Sequence, residues 1–542
     1  MKRFRFFILL SAALLVLTAC PKPEPEPTPV DPDITIPLSQ LSGVSLSALL
    51  DEDVVSRMEK EGDDCILVCK GNPVSLSFDL LSDYDGAKPF RRYCNFPIGY
   101  DFILGVTPTV PAEASDPIDL MTVFPAVIDL GSRAKGTSIY FSGLPEEILA
   151  LDSMELTEDS RFELTLSFTR PFFTEGTVTP EFLVDIRQFF NSPEAEDGYL
   201  KFDVALTPEN GYKATKAFRL SSLAFDPEKF NPQAHNIEVE ARIAIDGKVS
   251  FDGLKTTWSR MADAPYDMRI NAQVELKDLA CKRVTGKFAH SVKNSASDRV
   301  NLSILAKNLA VDPATASVVM DVESDVSLAY EAVSSLTTKQ GYRTLGSVDD
   351  IRYDIPIAEV GKTAQARYDL AAIKSLDAIF PQTPSELIYS VGAATRPDVT
   401  CVLTLGQTGT ATFKPTVRVP LAFDEPFAAE VVERIPAQFN PEILAQGKQV
   451  ILQGSLANTL PLDGEMAIVL LDQNGNPVTR EVKLAFTADG TTQVNQQLPV
   501  TTSGAPANAQ IRYQFKGIKK PRPVKASNAL AVQLNLFIPG EN

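Results

Sequence analysis

The chain has 542 residues, 44% hydrophobic and 22% charged, and its 51 basic against 69 acidic side chains give a formal net charge of -18. That is an ordinary globular composition, with core enough for roughly two to four domains. The acidic excess repels phosphate, which sets aside nucleic acid as a partner and argues against charge-driven binding of anionic headgroups.

Lys2, Arg3 and Arg5 precede an apolar run from Phe6 to Leu17. That run is shorter than the ~20 residues a membrane-spanning helix needs, so residues 1–19 read as a signal peptide. Leu17-Thr18-Ala19-Cys20 resembles the lipobox of bacterial lipoproteins, in which a cysteine is acylated and becomes the mature N-terminus. By that resemblance Cys20 carries the lipid and holds the protein on a membrane; the competing reading is an ordinary leader with an incidental cysteine. Several acyl chains, at about 0.8 kcal/mol per buried methylene, would make a stable anchor.

Residues 20–37 form a tether. Pro21, Pro23, Pro25, Pro27 and Pro29 alternate with other residues, and Pro32 and Pro37 follow. Such a segment favours polyproline II at about 3.1 Å per residue, so residues 21–37 would reach about 50 Å. Lipobox and Pro-rich tether together resemble the lipid-anchored envelope lipoproteins of Bacteroidota. The resemblance implies the outer membrane and leaves open its surface or periplasmic face, because Glu24 and Glu26 are separated by proline.

Beyond the tether, strand signals dominate. Val74–Phe78, Phe162–Phe168, Ile237–Ile245, Met268–Leu276 and Val532–Leu536 each alternate apolar with polar residues. That is the pattern of antiparallel sheets with one wet face. Asn474-Gly475 marks a hairpin turn or a longer loop. Short helical turns are expected at Asn440-Pro441-Glu442 and at Thr179-Pro180-Glu181, the latter with Phe182, Ile186, Phe189 and Phe190 on one helical face. An order shared by Leu223-Ala224-Phe225-Asp226, Phe230-Asn231-Pro232, Asp246-Gly247 and by Leu421-Ala422-Phe423-Asp424, Phe439-Asn440-Pro441, Asp463-Gly464 suggests a duplicated β unit. The polar stretch 334–341 reads as a linker. The expected fold is mostly β, with tandem antiparallel β-sandwich-like domains at 38–178, 179–330 and 331–542 and few short helices.

Apart from Cys20 the chain holds Cys65, Cys69, Cys94, Cys281 and Cys401, so at least one thiol stays free. Cys65 and Cys69 stand about 13 Å apart on one strand, too far to bridge each other, which makes Cys94 the expected disulfide partner of one of them. The competing reading is three small buried hydrophobes.

Catalytic patterns are sparse. His235 and His290 are the only histidines, and they read as surface loop residues. The chain has no His-Glu-x-x-His, Cys-x-x-Cys, Gly-x-Ser-x-Gly, Gly-x-Gly-x-x-Gly or P-loop segment, so no metal, nucleotide or other cofactor is expected. Paired carboxylates of a glycosidase leave no motif. Trp258 is the single tryptophan and reads as half-buried packing rather than a glycan platform. That scarcity weakens a resemblance to starch-binding outer-membrane lipoproteins. Residues 83–86 and 472–476 read as turns rather than calcium loops. The basic run at Lys516, Lys519, Lys520, Arg522 and Lys525 reads as a solvated loop between strands, and Asp152-Ser153-Met154 resembles a Bacteroidota O-glycosylation acceptor at Ser153.

The function expected is a non-enzymatic, lipid-anchored envelope protein that binds or scaffolds a protein, glycan or lipid ligand. The alternatives are a tubular lipid-binding carrier and an adhesive or fimbria-associated surface component.

Overall fold

The computed structural model describes residues 33–38, 44–79, 91–94, 97–106, 116–436, 449–501 and 506–540, apart from positions 143, 189, 263, 265, 266, 291, 293, 313 and 407. Residues 1–32, with Cys20 and most of the tether, lie outside this set, as do residues 83–86 and the turn expected at Asn440-Pro441-Glu442. Antiparallel strands make up nearly all the regular structure, and the helices are single turns such as Leu46–Leu49 and Trp258–Met261. The fold is therefore mostly β and sandwich-like, as the alternating segments require.

Two compact units divide the chain. One draws on both ends, Met1–Ser56, Lys60–Cys65 and Ala422–Asn542, and the other takes Arg57–Glu59 and Ile66–Leu421. The contiguous boundaries expected at 178/179 and 330/331 are thereby corrected, since each falls inside a strand, Glu175–Asp185 and Tyr330–Gln340. The physical reason is strand pairing across the length of the chain. Ile34–Pro37 lies antiparallel to the last strand, Ala529–Ile538, with Ile34 opposite Ile538 and Pro37 opposite Asn535. Val44 pairs with Leu530 further along, and Val450–Asn458 closes the other side.

Along Ala529–Ile538, Leu530, Val532, Leu534, Leu536 and Ile538 are buried while Gln533 is exposed. Each such side chain contributes about 1.5–3 kcal/mol on burial. The second sheet of this unit runs Ala428–Pro436, Asn508–Lys516, Asp463–Leu471 and Val482–Phe486.

The other unit contains two sandwiches. In the first, Glu175–Asp185, Asn236–Thr256 and Val127–Ser142 face Arg161–Phe168, Arg269–Lys277 and Ile98–Ile103. Phe102 meets Phe182 edge-on at 5.2 Å, and the Tyr100 hydroxyl donates to the Ile243 carbonyl at 2.8 Å. Phe173 is the hub of its core, with ring centroids 4.5 Å from Phe172, 5.3 Å from Tyr212, 5.5 Å from Phe168 and 5.9 Å from Phe124. In the second, Tyr330–Gln340 and its neighbours face Val74–Asp79, Ser317–Ser324 and Ala364–Asp369, joined by Phe78 on Tyr330 at 4.5 Å and Tyr353 on Tyr368 at 4.9 Å.

Two local expectations are also corrected. The polar stretch 334–341 is no linker: through Gln340 it belongs to an interior strand of a four-stranded sheet. Its inward hydroxyls are satisfied, Ser334 Oγ by the Tyr353 hydroxyl at 2.7 Å and Thr338 by the Ile379 carbonyl, so their burial costs little. The helix expected from Thr179 is the strand Glu175–Asp185 instead, with Val178, Pro180, Phe182 and Val184 all inward.

The repeated Asp-Gly pairs do share one local device. Gly247 lies opposite Phe182 and Gly464 opposite Phe486, and an added Cβ would come 2.6 and 2.4 Å from those rings. In each case an aromatic ring covers a glycine across the strand pair.

Candidate functional site

An open groove lies in the unit built from both chain ends. Strand register places Glu430 opposite Gln514 and Gln514 opposite Glu465, so the three stand in one row on one sheet face. The adjoining row sets Ala428 opposite Lys516 and Lys516 opposite Asp463. With Glu425 and Phe427 from the preceding turn, these residues line a groove of about 770 Å³. Gly517 permits that turn: its N–H donates to the Phe427 carbonyl at 3.0 Å, and a Cβ there would sit 1.8 Å from the Asp424 carbonyl oxygen.

Most of the groove's acids have donors of their own. Glu430 accepts from the Gln514 amide at 3.0 Å, Glu465 pairs with Lys483 at 2.8 Å, and Asp463 accepts the Ala488 N–H at 2.8 Å. Four carboxylates against the single Lys516 ammonium still give the groove an acidic lining. On the same edge strand burial pushes the Glu433 carboxyl up, as an acid turned toward the sandwich interior would be. Chemically the arrangement attracts cationic and hydrogen-bond-donating groups.

The residues singled out from sequence do not gather at this groove. Cys65 and Cys69 are buried free thiols on the strand Asp64–Lys70, so the expected bridge to Cys94 is not formed. Cys94 stands on Arg91–Cys94, which pairs with Val127–Ser142 in a different sheet, and its side chain is outside the described residues. Cys281 and Cys401 are also buried and free. Burial pushes all four described thiols up, which keeps them protonated and unreactive.

Ser153 is half-buried within Ile148–Leu156, paired with Ala224 on one side and Thr285 on the other. His235 closes the turn after Asn231 at φ 46°, and His290 is half-buried beyond Cys281–Phe288. Trp258 is 38% exposed, and its backbone N–H donates to the Asp116 carboxylate at 2.9 Å.

Asp472 accepts from the N–H groups of Asn474 and Asn476 at 2.8 and 2.7 Å. Those bonds hold its carboxyl below the usual range and make residues 472–476 a turn. The basic run between Asn508–Lys516 and Ala529–Ile538 is a largely exposed loop, with Arg522 paired to Asp489. Among the described residues no group of three or more His, Cys, Asp or Glu side chains converges as a metal site.

No family model matches the chain, nor does any curated protein. Among solved structures it is similar to a protein of Parabacteroides distasonis described as secreted, at 13% identity and TM-score 0.27 over 48% of this chain and 89% of that one. It is also similar to the VP2 subviral particle of infectious bursal disease virus, at 11% identity and TM-score 0.15 over 82% and 86% of the two chains. The insecticidal delta-endotoxin Cry8Ea1 of Bacillus thuringiensis matches at 7% identity and TM-score 0.13 over 40% and 43%. Likenesses of this size carry no argument about function.

Proposed function

We propose that the chain is a non-enzymatic, lipid-anchored protein of the outer membrane whose tandem β-sandwiches bind or scaffold a partner away from the bilayer. The observation that carries this reading is where the tether ends. It ends before the expected Pro37, because Ile34–Pro37 is already a strand, hydrogen-bonded along the last strand of the chain. Asp33 accepts the Gly540 N–H at 2.8 Å, and Leu38, 4% exposed, donates its N–H to the Leu534 carbonyl at 2.9 Å. A pull through the tether is thus borne by a sheet ladder and a buried side chain rather than by a loose end. Cys20 supplies the lipid, and the acidic groove opens in the same unit.

The tubular carrier alternative is disfavoured by the ring contacts centred on Phe173, which fill the space between sheets that an acyl chain would need. The adhesive or fimbria-associated alternative shares the anchor, and the groove beside an edge strand favours it.

Carbonate washing of isolated membranes tests the anchor. The protein is expected to stay in the pellet at high pH and salt and to leave it only with detergent. Release by the wash alone contradicts the reading.

A further inference from the structure

Ala428–Pro436 is the terminal strand of its sheet, nine residues long, with Asn508–Lys516 as its only neighbour in the sheet order among the described residues. Its side chains alternate between exposed and half-buried, and none is fully buried. The Gly517 N–H donates to the Phe427 carbonyl, and the register carries on from that pair to Ala428 opposite Lys516. In an antiparallel ladder the bonded pairs alternate. Residues 429, 431, 433 and 435 therefore spend their backbone groups on the neighbouring strand. Ala428, Glu430, Val432 and Arg434 turn theirs outward, and Pro436 has no N–H to offer.

Natural proteins blunt such an edge, because it is a template for another strand. Here Glu430, Arg434 and Pro436 supply part of that protection, while Val432 is 49% exposed at the strand's centre and the acidic groove overlaps its first three residues.

We propose that this edge takes up an extended basic segment of a partner protein as an added antiparallel or parallel strand. Backbone hydrogen bonds to Ala428, Glu430, Val432 and Arg434 would give the affinity. Lysine or arginine side chains on alternate positions would lie toward Glu425 and Glu430 at the edge itself, which supplies the charge preference. The proposal rests on reading the chain as a binding protein, and it is independent of the lipid on Cys20.

The test uses the purified full chain in detergent and fluorescent nine-residue peptides. The first has lysine at alternate positions with threonine or valine between; the second has glutamate in place of lysine; the third is the lysine peptide N-methylated on alternate amides. Only the lysine peptide is expected to bind, with affinity at least tenfold above the other two. Val432→Pro removes an outward N–H without touching the inward ladder, and is expected to weaken that binding at least tenfold while circular dichroism stays unchanged.

Equal binding of the methylated and unmethylated lysine peptides overturns the strand-addition mode even if Val432→Pro misfolds. Equal binding of lysine and glutamate peptides overturns the charge preference. Self-association abolished by Val432→Pro, with no peptide binding, would make a second copy the occupant and overturn the partner proposal. None of these results alters the outcome of carbonate washing, so failure here is distinguishable from failure of the anchor reading.

Discussion

Thr35→Cys combined with Phe537→Cys is expected to form a disulfide spontaneously in air, joining the two ends of the chain. Thr35 lies opposite Phe537, and the bonded pairs of this ladder include Leu38 with Leu534. Two residues apart the pairing type repeats, so Thr35 and Phe537 form a non-hydrogen-bonded pair, with Cα atoms about 4.5 Å apart. That distance suits a disulfide without backbone movement. The bridge should raise unfolding stability of the end-assembled unit by roughly 2–4 kcal/mol, lost on reduction. The four described native thiols are buried and should not compete. Gel mobility with and without reductant, together with thermal melts, reads the result. Failure of the double variant to cross-link contradicts the pairing on which the tether argument depends.

Phe173→Ala is expected to destabilise the other unit by about 3–5 kcal/mol. The ring is 2% exposed and meets four other aromatic rings. Removing it loses the transfer free energy and leaves a cavity that neighbours cannot close without leaving their edge-on contacts. Phe173→Leu, which keeps more of the volume, should cost clearly less. Denaturant melts decide: a change under about 1 kcal/mol in the alanine variant would mean that the aromatic hub does not hold the sandwich together.

The strands were readable wherever one sheet face is wet. Phe162, Leu164, Leu166 and Phe168 are buried and the residues between them are not, so period 2 is written directly in the side chains. Residues 178–190 were ambiguous for a physical reason. Phe182, Ile186 and Phe190 fit a helical stripe, yet all three are even-numbered and fit a strand equally well, and only the partner strand Asn236–Thr256 decides.

Residues 334–341 misled because small hydroxyl side chains look like a linker until Tyr353 and Ile379 arrive from elsewhere to bond them. The groove was not legible at all. Glu430, Gln514 and Glu465 come together only through register between distant strands, and no local motif encodes that. The pairing of Ile34–Pro37 with the chain's last strand was hidden in the same way, whereas the resemblance of Leu17-Thr18-Ala19-Cys20 to a lipobox is local and needs no fold to be read.

The lipid anchor is decided by the mass of the N-terminal peptide that protease releases from detergent-purified protein. The mature chain is expected to begin at Cys20, and this peptide to carry the added mass of acyl chains. A peptide beginning elsewhere, or Cys20 with an unmodified thiol, would contradict the lipid anchor and with it the proposed place of the protein in the envelope.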